Sequence, residues 1–416
     1  MSDRARKLAI LAAFRPAPDF SALQVLPSIH GSPGVRFLRW LDRSGLALGF
    51  YRRLADLGEL SLLSKEWRYA LEERYEANQR RTADMLDEVR RLLDALNAHG
   101  VVAVCLKGFT LVPDFSEDIN VRHQTDFDFL IDSSEVRASA KALDSCGYSA
   151  SRLNDSGESC FTTPLTHIPS TSDNLYEVQR QRQVDLHTSI WEPCSWLPVA
   201  APQDCLAHIE SRSSYGVEHR SLCLEDKFLL QVFHAFRHSF RSWIRLSWLW
   251  EIGVCLRNHW GNVELWRRVT HRAGNTLLTK RIFALVLGLS ERLFGGAIPP
   301  ELAQWSSVSM THSLRTWLDH FATDWAISDW PGSLSNLFLT AAFIPDPTLQ
   351  RLYWRSRVLP RGNSTSIGHV ANANLLQTVR ANAARWYYVT NRARAHLKDI
   401  VAFPRQRLRW KRALLS

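Results

Sequence analysis

The chain has 416 residues, of which 45% are hydrophobic and 22% are charged. These are the proportions of an ordinary globular protein, so they exclude a largely disordered chain. No stretch approaches the roughly 20 consecutive apolar residues that a bilayer-spanning helix needs, and we expect no transmembrane segment. The length leaves room for two or three domains.

The net charge of +10 is concentrated near the C-terminus. Residues 380–416 carry ten lysines and arginines against one acid, Asp399, so the rest of the chain is nearly neutral. Aromatic residues are interleaved with these charges: Trp386, Tyr387, Tyr388, Phe403 and Trp410. Such a segment could bind nucleic acid, lie on an anionic membrane or pack on an acidic partner. The simpler alternative is an amphipathic helix with a solvated basic face.

The seven cysteines are scattered and odd in number, and no two form a C-x-x-C pair. This pattern fits neither a disulfide framework nor a structural zinc site. We therefore expect reduced thiols and a cytoplasmic location.

The first 99 residues are predicted to be helical. Met85, Val89, Leu92 and Leu96 recur at helical spacing, and Gly100 ends the pattern. The apolar run 101–106 then predicts a buried strand, and residues 109–115 a short helix.

Two further strands are predicted at 125–132 and 184–187, with a helix at 133–146 after the first of them. A helical pattern is predicted again from residue 224 to about residue 344. We divide the chain into a helical segment (1–99), an α/β core (100–200), a helical domain (201–345) and a basic helical tail (346–416). The predicted fold class is α+β, with a small mixed sheet inserted between mostly α-helical segments.

The most informative residues are the acids of T-D-F-D-F-L-I, residues 125–131. Side chains alternate along a strand, so Asp126 and Asp128 share a face, as do Asp185 and His187 in the later strand. If the two strands are neighbours, three carboxylates converge, and such oxygen ligands suit Mg²⁺. The alternative is that Asp126 and Asp128 lie on the exposed face of an edge strand and have no role.

Lys107 and Gly108 follow the first predicted strand and precede a predicted helix start. Free backbone N–H groups and a glycine at this place could bind phosphate, with Lys107 and Arg122 adding charge. The alternatives are a turn glycine, a solvated lysine and a solvated arginine.

His234 and His238 are four residues apart on a predicted helix and so share a face. They could form half of a zinc site, although H-E-x-x-H is absent, or line a substrate cleft, or pack. His187 could hydrogen-bond an acid or contact substrate, and the alternative is a structural role.

Four motifs occur in one order along the chain: L-K-G-F-T-L-V (106–112), Arg122, T-D-F-D-F-L-I (125–131) and V-D-L-H (184–187). Together they resemble the uncharacterised nucleotidyltransferase family of the DNA polymerase β superfamily. Residues 224–238 and 245–252 resemble the helical half of that family.

The resemblance implies a nucleotidyltransferase that uses Mg²⁺ or Mn²⁺ and moves an NMP group from an NTP to a hydroxyl acceptor. The acceptor could be a small molecule, a peptide, a protein or an RNA. Asp126 and Asp128 would be metal ligands and catalytic residues, and Asp185 the third acid. The NTP would be bound by Lys107, Gly108, Arg122 and His187.

One departure from the superfamily leaves alternatives open. Lys107-Gly108 stands where Gly-Ser or Gly-Gly is common. The chain could therefore be a catalytically inactive binding or regulatory protein with the same fold. The basic aromatic tail motivates another alternative, a toxin-like enzyme that modifies tRNA.

Overall fold

A computed structural model describes residues 2–415 apart from 21–22, 24–25, 27, 155–156, 165–174, 177–181, 192–198, 200, 241–243, 329–333, 345 and 359–374. The chain divides into two compact units. One comprises Met1–Arg237 and Ile244–Ser309, and the other His238–Trp243 and Met310–Ser416. The domain boundaries expected from the sequence stay predictions.

The first unit begins with four helices: α1 (Asp3–Ala13), α2 (Ser32–Ser44), α3 (Ala47–Asp56) and α4 (Lys65–Ala98). The Ser64 side chain caps α4 by accepting a hydrogen bond from the backbone N–H of Trp67. The apolar stripe of α4, including Met85 and Val89, is buried in the core beside the sheet. Helices therefore occupy most of the described part of residues 2–98.

Among the described residues, seven strands form one mixed sheet: β1 (Val104–Cys105), β2 (Asp126–Leu130), β3 (Ser149–Arg152), β4 (Ser159–Thr162), β5 (Gln183–His187), β6 (Ile209–Ser214) and β7 (Val217–Leu222). Their spatial order is β3-β4-β5-β2-β1-β7-β6. Strand β2 pairs in parallel with β5 and antiparallel with β1, and β1 is parallel to β7. Because β2 is central, its acids do not lie on an edge strand. The predicted α+β class, with a mixed sheet between helical segments, is confirmed.

The sheet packs on one side against α4 and α5 (Val136–Ser145). Phe127 and Phe129, which alternate with the two acids of β2, are 3% and 1% exposed and belong to this core. The burial of these two aromatic side chains orients β2, because every second residue must then face the opposite side.

The short helix expected at 109–115 is instead a single 3₁₀ turn, Gly108–Leu111. Val112 ends the turn in an extended conformation with ψ of 137°. The physical reason is Pro113, since the residue before a proline is disfavoured in the helical region. The turn therefore offers fewer free N–H groups than an α-helix would.

Helices complete both units. The first unit continues through α6 (Leu224–Ser239), which ends just past its boundary, and includes α7 (Leu246–Asn258), α8 (Val263–Ala273), α9 (Leu277–Phe294) and α10 (Pro300–Ser307). The second has α11 (His312–His320), α12 (Ala322–Ala326), α13 (Leu334–Phe343), α14 (Pro347–Val358) and α15 (Leu375–Leu415). In the part of the chain that the structure describes, no helix is both long and apolar enough to cross a membrane.

Candidate active site

Strands β2 and β5 bring the three predicted acids together. Their parallel register places Asp128 beside Asp185 and Asp126 beside Gln183. One carboxylate oxygen from each of Asp126, Asp128 and Asp185 lies within 4.8 Å of the other two. Asp128 and Asp185 are buried and Asp126 is half-buried. Three acids are therefore held close together in a region that water reaches only partly.

Two neighbouring side chains orient these carboxylates. The Gln183 amide nitrogen donates to both oxygens of Asp185, at 2.8 Å each. The Thr125 hydroxyl donates to Asp126 Oδ1 at 3.1 Å. Because each donor is one or two residues from its acid, the local strand geometry itself restricts how the carboxylates rotate.

Two basic groups converge on one oxygen of Asp128. Lys107 Nζ donates to Asp128 Oδ1 at 2.9 Å, and His187 Nε2 lies 3.0 Å from the same atom. All three side chains are at least 87% buried, with exposures of 13%, 13% and 6% for Lys107, His187 and Asp128. Lys107 thus forms an ion pair with one of the predicted metal ligands.

The three acids differ in their pKa values. Burial, followed by the charge of Asp128, raises the pKa of Asp126. Burial acts in the same direction on Asp128, but Lys107 and His187 outweigh it and hold the pKa of that carboxyl well below its usual range. Burial and the charges of Asp128 and Asp126 raise the pKa of Asp185 to about 6, against hydrogen bonds from Cys160 and Gln183.

The donor set fits a hard divalent cation. All three candidate ligand atoms are carboxylate oxygens, which suit such a cation, and burial together with repulsion between the acids raises the pKa values of Asp126 and Asp185. A second grouping, Glu158, Cys160 and Asp185, also lies within ligand distance. Burial raises the pKa of the Cys160 thiol, and a protonated thiol is a poor ligand for a hard cation, so the three-carboxylate grouping is the better cation site.

Position 108 requires glycine because of its backbone conformation and because another side chain lies close to it. Its φ is +72°, and a Cβ there would lie 2.2 Å from the side-chain oxygen of Gln124. The Gln124 amide nitrogen in turn donates to the carbonyl oxygen of Asp126 at 2.8 Å. The glycine thus lets Gln124 connect the turn after β1 to the start of β2.

Arg122 lies near this turn but is held by another acid. Its Nε donates to Glu251 Oε1 at 3.0 Å, and the two side chains are 14% and 4% exposed. Arg122 and Gly108 also line a small cavity together with Gln124. The predicted phosphate-binding arginine therefore has a structural partner that the sequence did not indicate.

A cavity of about 30 Å³ lies beside Lys107 and His187. His234 and Arg237 of α6 contribute to its wall, together with Trp191. His234 also contacts Trp248 edge-on, with ring centroids 4.4 Å apart. Neither His234 nor His238 belongs to a possible metal-binding group among the described residues, and His238 does not line this cavity.

Sequence reasoning missed three residues at the site. Gln183 and Thr125 were within one or two residues of a predicted acid, and strand alternation could have pointed to Gln183. Arg245 lies in a segment that the sequence predicted only as helical. In the structure its charge acts on Asp126, and its guanidinium donates a hydrogen bond to the backbone oxygen of His123 at 2.8 Å. No local pattern connects Arg245 with β2.

Comparison with known protein families agrees with the carboxylate geometry. A family model described as uncharacterised nucleotidyltransferase matches residues 35–295, more than half of the chain. The chain belongs to this nucleotidyltransferase family. The match covers α4, the whole sheet and α6 to α9, so the three acids lie within it. Neither curated proteins nor solved structures gave a significant match.

Proposed function

We propose that this nucleotidyltransferase moves an NMP group from an NTP to a hydroxyl acceptor and depends on Mg²⁺ or Mn²⁺. The observation that supports it most is the convergence of Asp126, Asp128 and Asp185 within 4.8 Å on one face of the sheet. Family membership supports nucleotidyl transfer in general. The acceptor is one of four classes: a small molecule, a peptide, a protein or an RNA.

In this proposal Asp126 and Asp128 hold the divalent cation, and Asp185 shares in its coordination. The cation would neutralise the phosphate oxygens and stabilise charge as the bond to the leaving pyrophosphate breaks. Asp185 also accepts a hydrogen bond from the acceptor hydroxyl and helps remove its proton. Gln183 keeps the Asp185 carboxylate in one orientation during this step.

The triphosphate would bind beside Lys107 and the Gly108 turn. Lys107 provides a positive charge at the acids, and His187 lies next to it on Asp128. Arg122 contributes through the guanidinium nitrogens other than the Nε that contacts Glu251. We place the reaction in the cytoplasm, where NTPs are available and where the six described cysteines, all free thiols, are stable.

The proposal is tested by incorporation of label from each α-labelled NTP into acceptors present in cell extract. The purified protein is incubated with Mg²⁺ or Mn²⁺, alongside an Asp126→Asn/Asp128→Asn double variant. We expect a labelled product that requires the metal and is lost in the double variant, because two of the three ligands no longer carry charge.

Asp132→Asn is the matched control. Asp132 follows β2 directly but is exposed and caps a turn by accepting from the Ser134 backbone N–H. Asparagine preserves that cap, so this variant should label as well as wild type. Absence of a variant-sensitive label, together with absence of metal-dependent NTP binding, would refute nucleotidyl transfer.

A second candidate, a nucleotide-binding module without turnover, is favoured by one observation. The Lys107 ammonium contacts Asp128 directly and so contributes a positive charge to the carboxylate cluster. In that case the protein would bind NTP and metal in equilibrium dialysis, with the double variant defective, but would transfer no label. The same pair of measurements therefore separates the two functions.

A further inference from the structure

The tail helix α15 presents an exposed apolar stripe. Its most exposed apolar residues are Trp386, Leu397, Ile400, Val401, Leu408 and Leu415, which are 50% to 89% exposed. Successive members are separated by 11, 3, 1, 7 and 7 positions. At 100° per residue these spacings place all six within one face of the helix, about 43 Å long. Aliphatic side chains in such a row are costly to leave in water.

Basic side chains border the stripe on both sides. Arg394, Arg405 and Arg412 are exposed and lie about 60 to 80° to one side of Leu397 on the helix. Arg407 is also exposed and lies about 80° to the other side, beyond Ile400 at about 60°, and the exposed Lys411 lies at about 40°, within the stripe. The apolar row is thus bordered by positive charge along much of its length.

The opposite face of α15 is attached to its own unit. Trp410 is 8% exposed and contacts Phe321 and Phe338, with ring centroids 5.5 and 5.4 Å away. Arg409 pairs with Asp324 at 2.9 Å. Packing of Trp410 on this side leaves the apolar stripe directed to solvent, so the stripe is not used to hold α15 in place.

We infer that α15 binds the surface of an anionic lipid membrane. An apolar stripe with arginines along both borders matches an interface in which acyl chains meet negatively charged headgroups. The borders would contact lipid phosphates while Leu397, Val401 and Leu408 enter the acyl boundary. RNA complements the charge, but five of the six stripe residues, all except Trp386, have no ring on which a base can stack. The inference is independent of the reaction proposed for the sheet.

Flotation of the full-length protein with vesicles tests this assignment. One set contains phosphatidylcholine alone, and the other contains about 30% phosphatidylglycerol. We expect binding to the anionic vesicles only, weakened by salt because the headgroup attraction is screened. Failure to float with anionic vesicles would overturn the assignment.

Two variants separate the contributions of the stripe and its borders. Leu397→Gln/Val401→Gln should lower partitioning at least tenfold, because the apolar insertion is lost. The matched control, Leu277→Gln/Val308→Gln, changes two exposed apolar residues of the first unit, 61% and 68% exposed, and should bind like wild type. Equal loss in both variants, or no loss in the first, would contradict insertion of the stripe.

The charge variant is Arg394→Gln/Arg405→Gln/Arg412→Gln, expected to lower partitioning about fivefold for each charge removed. Its control, Arg36→Gln/Arg43→Gln/Arg91→Gln, removes the same number of exposed charges elsewhere. Circular dichroism checks that all variants retain wild-type helicity. An alternative outcome would assign α15 to RNA. The protein would then not bind vesicles, and its binding of single-stranded RNA would require the three tail arginines but not the stripe.

Discussion

Two buried charged clusters in the first unit have opposite charge balances. The carboxylate cluster, defined as Asp126, Asp128 and Asp185, has three acids within 4.8 Å and contacts from Lys107 and His187 at Asp128 alone. It lies beside a cavity, and two of its acids have raised pKa values. Three acids therefore lie near two cationic side chains, Lys107 at Asp128 and Arg245 near Asp126.

The Asp114 cluster has the reverse composition. Asp114 is contacted by His259 at 3.1 Å, Arg212 at 3.6 Å and Lys227 at 4.0 Å. The Lys227 side chain is 1% exposed, and its ammonium also donates to the carbonyl oxygen of Thr110 at 3.4 Å. Burial is the main reason that the pKa of Lys227 is lowered to about 8. Asp114 is therefore shared by several basic groups, of which Lys227 is fully buried while Arg212 is 32% exposed and also pairs with Glu210 at 2.7 Å.

A candidate binding site and a structural ion cluster can be distinguished by how their acids are paired. Both contain buried charge, which is costly unless paired. In the Asp114 cluster this acid is shared by Lys227, Arg212 and His259, so its removal should destabilise the fold. In the carboxylate cluster Asp185 lies near two other acids that repel it, so its removal should cost activity and not stability.

The largest expected effect is on activity at the carboxylate cluster. Asp185→Asn should lower NMP transfer by about 100- to 1,000-fold, because a preorganised charge at the reacting groups is lost. Its free energy of unfolding without metal should be equal to or above that of wild type. Label incorporation and urea denaturation measure the two quantities on the same preparation.

A loss of activity accompanied by a large loss of stability would make Asp185 a structural residue. Asp132→Asn, which removes an exposed carboxylate beyond the same sheet, provides the baseline for both measurements.

Asp114→Asn should show the opposite outcome. We expect it to lower the free energy of unfolding by about 3 kcal/mol, because the buried Lys227 would lose a charged partner. Urea denaturation measures the loss. Asp87, which is 74% exposed and pairs with Arg90 at 2.8 Å, supplies the control.

For Asp87→Asn the expected change is within about 0.5 kcal/mol, since an exposed pair contributes little. Similar values for the two asparagine variants would mean that the Asp114 cluster is not structural.

The lowered pKa of Lys227 predicts a specific dependence of stability on pH. Between about pH 8 and the ordinary lysine value of 10.5, the unfolded chain binds this proton and the native chain does not. Stability from this group therefore rises with pH across that window, and the penalty is fully present below pH 8. Burial of the ammonium causes it, with Arg212 acting in the same direction and Asp114, Glu210 and Cys223 opposing.

Lys227→Met isolates this contribution, because other titrating groups remain in both proteins. The stability of the variant relative to wild type should fall by about 2 kcal/mol between pH 7 and pH 9.5. Urea denaturation at several pH values provides the test. A difference between the two proteins that stays constant with pH would show that Lys227 titrates at its ordinary value.

The smallest expected effect is on metal affinity, and it concerns Lys107, which contacts Asp128. Lys107→Met should raise the affinity for Mn²⁺ about tenfold in the absence of nucleotide, since the ammonium no longer competes for Asp128 Oδ1. Calorimetric titration measures the change, with the Asp126→Asn/Asp128→Asn variant as the control without a complete site. Unchanged affinity would show that the ammonium moves aside at no cost.

Local periodicity explains what the sequence predicted correctly. The shared face of Asp126 and Asp128 and the burial of Phe127 and Phe129 follow from alternation within one strand. The helical segments follow from apolar spacing and from Gly100 at a helix end. Each of these inferences needs only a few neighbouring residues.

Contacts between distant segments could not be predicted in this way. The parallel pairing of β2 with β5 was a condition of the metal-site hypothesis and not a deduction, because strand order is set by the whole core. Arg122 was expected at phosphate, but its contact with Glu251 joins residues far apart in the chain. The helix expected after Gly108 is shorter than predicted because Val112 precedes Pro113, and this effect can be recognised from the local sequence alone.

Gly108 has a consequence for interpreting related chains. Its missing side chain makes room for Gln124, whose amide supports the start of β2, and this need exists whether or not a nucleotide ever binds. Selection for folding alone would retain glycine here. A member of the family that had lost catalysis would therefore be expected to keep Gly108, whereas the three aspartates would be free to change if they have the catalytic role proposed above.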